Sequence, residues 1–195
     1  MKKLLAFVLY VVMWFLPLWY KVRYIFLKPI KHSPTKLDIK DVEKELDTLI
    51  KNFVYTYDGV KEIGDAIVPP DYALYQLQNS KLFDDCDGFH AAAYELLTKA
   101  GYKTSLVTSL NDNVMSNHVM VLFEHDRNLY LVNYNTVKNV FKGPIDNLSI
   151  QEFNNGLRTL FTKECNSQSR YMFGTVFTKS RWFKRINLYK FFKNK

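Results

Sequence analysis

Cys86 stands in the run Leu82-Phe83-Asp84-Asp85-Cys86-Asp87-Gly88-Phe89-His90. The apolar spacing that follows it predicts a helix from about Asp87 to Ala100, which puts the thiol at a helix start. Helix N-termini carry partial positive charge and unpaired N–H groups. That setting favours thiolate, the nucleophilic form of cysteine. The free N–H groups, that of Cys86 included, are suited to holding an oxyanion. Asp84, Asp85 and Asp87 act in the opposite direction, because nearby negative charge disfavours thiolate. Asp85 or Asp84 is the expected helix cap.

A nucleophilic thiol needs a base, and the base needs an orienting partner. His118 opens a predicted strand, 118–124, joined through the polar turn His125-Asp126-Arg127 to a second strand, 128–133. A turn centred between residues 125 and 126 sets Asn133 opposite His118. A turn centred one residue later sets Asn135 there instead. In either register an Asn oxygen is available to accept the imidazole N–H. The plain reading is that Cys86 is a small buried residue and His118 a satisfied strand histidine.

The order Asp-Asp-Cys-Asp-Gly-Phe, a helix ending in Gly101-Tyr102, a strand, then Ser116-Asn117-His118-Val119 and Tyr130-Leu131-Val132-Asn133 resembles the transglutaminase-like cysteine peptidase superfamily. The likeness covers about residues 70–140. It implies an α+β papain/transglutaminase-like core, with the catalytic Cys at a helix N-terminus packed on an antiparallel sheet. It also implies Cys86 as nucleophile, His118 as general base and acid, and Asn133 as orienter, with Asn135 the alternative. The family usually has Gly-Asp-Cys where this chain has Asp-Asp-Cys. It more often has Asp as third member; Asn, as in papain, stabilises the imidazolium less. Papain-like sites place a Gln upstream of the Cys, which makes Gln78, ahead of Gln76, the oxyanion candidate.

The elements that must position these residues follow from periodicity. Ile39, Val42, Leu46, Leu49, Ile50, Phe53 and Val54 predict a helix from about Asp38 to Tyr57, capped by Asp38. Residues 59–71 read as a loop and Asp71 to Gln78 as a short helix. Phe89, Ala92, Ala93, Leu96, Leu97 and Ala100 line the buried face of the helix after Cys86. Beyond Gly101 the period drops to two, with strands at 103–108, 118–124, 128–133 and 171–178 and a helix at 150–161.

The 195 residues carry a net charge of +8, unevenly spread. Residues 1–40 sum to +7, 41–162 to −7 and 163–195 to +8. Basic ends attract polyanions. Leu4 to Tyr20 is a run of seventeen uncharged residues behind Met1-Lys2-Lys3. Its length reaches the lower limit of ~17 for a spanning helix, and Trp14, Trp19 and Tyr20 suit an interface. The expectation is a single-pass signal anchor, with an interfacial helix and a cleaved signal peptide as rivals. The heavier positive flank, after the run, places the main domain on the cytoplasmic side.

These observations divide the chain into a hydrophobic membrane-associated segment (1–28), a linker (29–37), a catalytic domain (38–180) and a basic aromatic tail (181–195). The tail is either a lipid-binding segment or a last element packed on the domain. Two cysteines make no disulfide framework, and Cys86 and Cys165 are expected as free thiols. No metal, cofactor or nucleotide motif is expected. Nucleic acid is not an expected partner. The expected function is cleavage, or acyl transfer, of an amide or peptide bond by a membrane-associated cysteine enzyme. The alternative is an inactive, membrane-tethered binding or structural module of the same fold.

Overall fold

The computed structural model describes residues 30–31, 37–56, 68–113, 116–177 and 183–194. The expected segment 1–28, most of the linker and most of the 59–71 loop lie outside them. Among the described residues no helix is long and apolar enough to cross a membrane.

The class is α+β. Five α-helices are described: α1 Val42–Ile50, α2 Pro70–Asn79, α3 Cys86–Lys99, α4 Ile150–Glu164 and α5 Leu188–Lys193. The strands are β1 Phe53–Tyr55, β2 Leu82–Asp84, β3 Lys103–Asn111, β4 His118–His125, β5 Asn128–Asn133, β6 Thr136–Asn139, β7 Ser169–Phe177 and β8 Phe183–Ile186. Six of them form one antiparallel sheet in the order β6-β5-β4-β3-β7-β8. β1 and β2 pair separately and in parallel.

Strand alternation builds a core on each face. Leu106, Val119, Val121, Phe123 and Val132 point to one side, against α1, α2 and α3. Val107, Met120, Leu122, Leu129 and Leu131 point to the other, against Phe153, Leu157 and Phe161 of α4 and Leu188 and Phe192 of α5. Each fully buried side chain of this size contributes about 1.5–3 kcal/mol. α4 begins on a capping box: Ser149 Oγ accepts from the Glu152 amide while the Glu152 side chain accepts from the Ser149 amide.

Three expectations are corrected. The helix expected to run to Tyr57 stops at Ile50, and Phe53-Val54-Tyr55 is a strand. The reversal is held by Asn52, whose Nδ2 donates to Leu77 O at 2.8 Å and whose carbonyl accepts from Leu82 N–H at 3.0 Å. A β-branched residue between two aromatics suits the strand once β2 is there to pair. β2 and β6 are additional to the expected strands. The tail is not separate from the domain: β8 extends the large sheet, and α5 buries Leu188 and Phe192. Its apolar residues match no single helical stripe because they are split between a strand and a short helix.

Gly88 marks a close approach. A Cβ there would lie 2.4 Å from Asp84 Oδ2 and 2.6 Å from Asp84 Cβ and Cγ. Alanine would gain about 1 kcal/mol of helix propensity. The clash involves the base of a buried side chain held in β2, so overpacking, at about 1–3 kcal/mol, wins. Gly88→Ala is therefore expected to lower stability in urea unfolding; unchanged or raised stability would show that Asp84 is free to move.

Candidate active site

α3 starts where the sequence places it. Asp85 is its N-cap, and Asp85 Oδ1 accepts from Asp87 N–H at 3.0 Å. Asp84 supports the cap in turn, accepting from Asp85 N–H through Oδ1 at 3.0 Å. Cys86 is thus the first helical residue. Both cysteines are free thiols and both are half-buried.

The backbone N–H of Val119, the residue after His118, favours the charged form of the Cys86 thiol. His118 itself contacts the neighbours of Cys86 rather than the sulfur. By alternation His118 belongs with Met120 and Leu122, on the α4 face, away from the helix that carries Cys86. It is the first residue of β4, however, and its ring lies at the end of the sheet. There it sits 5.3 Å from the ring of His90 in α3 and 5.7 Å from that of Tyr134.

His118 Nε2 and Asn133 Oδ1 are 2.9 Å apart. The β4–β5 register pairs Val121 with Val132, which by extension would carry position 135 opposite His118. Of the two registers considered, this is the one that favours Asn135, yet Asn133 is the partner. Asn135 lies in the two-residue turn between Asn133 and Thr136, and its Nδ2 donates to Asp47 Oδ1 at 2.7 Å. Asn133, the last residue of β5, reaches His118 diagonally.

The direction of the His118–Asn133 bond is set one step further out. Asn133 Nδ2 donates to Glu164 Oε2 at 3.1 Å, and a carboxylate only accepts. Oδ1 must then be the atom facing His118, so Nε2 carries the proton and Nδ1 is left as the acceptor. Lys138 Nζ fastens Glu164 with bonds of 2.7 and 2.9 Å to its two oxygens. Burial alone would raise the Glu164 carboxyl. The bonds from Lys138 and Asn133 outweigh it and hold the group below its ordinary value, hence ionised.

His90 is the second residue that sequence reasoning left outside the site. It is completely buried. Its Nε2 accepts from the Tyr134 backbone N–H at 3.0 Å, so Nδ1 bears the proton and donates to the Cys86 carbonyl at 2.5 Å. The helix start that carries the thiol is thereby tied to the β5–β6 turn that carries Asn133. Tyr134 has φ 51, a left-handed conformation that aims its N–H at His90. Its ring packs on His90 at 5.0 Å and on Phe89 at 5.7 Å. Neither His90, Tyr134 nor Glu164 carries a motif. The usable signal was the i, i+4 spacing of Cys86 and His90 on one helix face.

The electrostatics differ from a helix-activated thiolate. Burial, reinforced by Asp85 and Asp87, pushes the Cys86 thiol well above its ordinary value, although the N–H groups of Val119 and Cys86 pull it down. Burial also lowers His118, against the bond to Asn133 and the charges of Asp85 and Glu164. At neutral pH both groups are therefore uncharged, Cys86 as the thiol and His118 as the imidazole. Burial pushes the Tyr134 hydroxyl up, helped by Cys86, Tyr55 and Asp85, so it stays protonated.

Gln78 is not brought into this cluster. It is exposed on the last turn of α2. Gln76 is engaged by Ser80, whose Oγ donates to its Oε1 at 2.7 Å. Two surface clefts, of ≈ 450 Å³ and ≈ 560 Å³, are lined by residues of β8–α5 and of α4, and neither includes Cys86.

Two outcomes follow. Burial, joined by repulsion from His118, lowers His90 to about 3, against 6.5 in an unfolded chain. As pH falls from 6.5 to 3, the unfolded chain takes up a proton that the folded one refuses. Stability therefore drops on acidification, with a His90 share of roughly 1.4 kcal/mol per pH unit inside that window. Urea unfolding over this range should show the slope reduced in His90→Gln; an equal slope in both proteins would mean His90 is not the group concerned. Glu164→Gln removes a charge that raises His118. The acid limb of Cys86 alkylation by iodoacetamide should then move to lower pH. An unmoved limb would separate Glu164 from the site. No protein-family model matches the chain, and no curated protein or solved structure matches it either.

Proposed function

We propose that this chain is a cysteine hydrolase or acyltransferase acting on amide bonds, built on a papain/transglutaminase-like core. Cys86 is the nucleophile, His118 the general base and acid, and Asn133 the orienter. The observation that carries the reading is the tautomer of His118. With Nε2–H committed to Asn133, Nδ1 is left with the lone pair that a general base needs.

A neutral resting pair sets the order of events. The Cys86 sulfur attacks the substrate carbonyl carbon as its proton passes to His118 Nδ1. The carbonyl π electrons move to oxygen, and the N–H of Cys86 at the helix start is placed to receive the oxyanion. The C–N bond then breaks, the leaving amine takes the proton from His118, and a thioester on Cys86 remains. Water, or a second amine, attacks the thioester with His118 again accepting a proton, and the thiol is released. Asn133 holds the ring in plane throughout and accepts from the imidazolium that forms.

Peptide bonds are the leading substrate class. The run Leu4–Tyr20 and its basic flank support a membrane-anchored enzyme with this domain on the cytoplasmic side. One observation favours an inactive binding module of the same fold: burial and two neighbouring aspartates hold the thiol protonated. The two readings part on covalent chemistry.

Incubation with p-nitrophenyl acetate, followed by peptide mass mapping, tests this. Acetyl-thioester should accumulate on Cys86, and His118→Ala should reduce its rate by about 10²-fold or more, with Cys165 as the internal control. Acetylation of Cys86 no faster than of Cys165, or unaffected by His118→Ala, would leave the inactive module as the correct reading. Release of fluorescent peptides from labelled casein then asks whether the acyl donor is a peptide.

A further inference from the structure

The end of the sheet opposite Cys86 carries a second site. Lys103 opens β3, and the register pairs Ser109 of the same strand with His118. Six residues of strand, about 20 Å, therefore separate Lys103 from the thiol end. Lys103, Lys184, Arg185 and Lys190 line a cleft of ≈ 450 Å³ there, with Phe191 and Ile186 as its apolar wall. Lys184 and Lys190 are exposed. Lys103 lies 5.3 Å from the centre of the Phe191 ring and donates to the Asn194 carbonyl. Among the described residues, none of these three lysines forms an ion pair. The carboxylate facing Lys103 across the ladder, Glu124, is already held by Arg127 at 2.9 Å.

An early part of the described chain lies near the Lys103 end of β3. Tyr102, next to Lys103, donates its hydroxyl to the Leu37 carbonyl at 2.8 Å. In sequence, the hydrophobic run Leu4–Tyr20 and the cations Lys21, Arg23, Lys28 and Lys31 precede this contact. Cations around an apolar wall, in a chain that also carries a long uncharged apolar run, match a surface of phosphate headgroups above hydrocarbon.

We propose that this cleft docks the domain on an anionic lipid surface, taking phosphate-bearing headgroups between Lys103, Lys184 and Lys190. Docked in this way, the catalytic end faces away from the bilayer, toward substrates in the aqueous phase. The proposal stands independently of the cysteine chemistry.

Full-length chain is reconstituted into phosphatidylcholine vesicles with or without phosphatidylserine, and lysine acetylation by sulfo-N-hydroxysuccinimide acetate is followed by mass spectrometry. Exposed Lys142, outside the cleft, normalises for local pH and orientation. Lys103, Lys184 and Lys190 should be acetylated at least about fivefold more slowly when phosphatidylserine is present, with protection lost in high salt. In Lys184→Glu/Lys190→Glu, whose changes are on exposed side chains, Lys103 should lose its protection. Equal rates in the two vesicles, or protection of Lys103 that survives the double substitution, would overturn the proposal. Protection by double-stranded RNA without any from phosphatidylserine would overturn it too and reassign the cleft to nucleic acid.

Discussion

The buried imidazole of His90 is the contact on which the site depends. It gives its proton to the Cys86 carbonyl and receives the Tyr134 amide, so one ring spans a helix start and a strand turn. Both bonds require a neutral ring in a fixed tautomer. A buried unpaired amide costs about 1–3 kcal/mol, which makes the ring hard to replace. Through it the thiol, the His118 ring and the Asn133 amide belong to one rigid unit, although they come from three separate elements.

Orientation within that unit runs inward from the surface. Lys138 keeps Glu164 ionised, Glu164 takes the Asn133 amide nitrogen, and Asn133 presents its oxygen to His118. The charge-assisted end of the chain is the stronger one. An asparagine by itself has no preferred side, so the carboxylate decides which imidazole nitrogen is protonated. The thiol receives no comparable help: burial and two aspartates favour its neutral form over the pull of the helix start. On the proposed reading, a base that removes the proton during attack suits this setting better than a preformed thiolate.

The molecule is polar in a second sense. One end of the β3–β4 ladder holds the paired Ser109 and His118, the other Lys103 and the lysine-lined cleft. The C-terminal residues supply three of the four cations there because β8 and α5 are integral to the fold. Like charges in one cleft repel. Their spread over a strand and a short helix, with Phe191 between them, limits that cost.

The sequence by itself determined the α+β class, the helix start at Cys86, the β4–β5 hairpin, and Cys86, His118 and Asn133 as candidate site residues. Those features rest on period, capping residues, the polar connection His125-Asp126-Arg127 and, for the choice of Asn133, a family resemblance. Tertiary structure decided the rest. Phe53-Val54-Tyr55 became a strand because β2 offered a partner, which periodicity cannot see. Asn133 prevailed over Asn135 because a turn removed residue 135 from the ladder. His118 reached α3 only because the sheet ends there, against the alternation of its own strand. Glu164 and His90 entered through contacts 31 and 44 residues away in sequence. Burial, set by all of these together, fixed the proton on the sulfur, a quantity that residue types and spacing leave open.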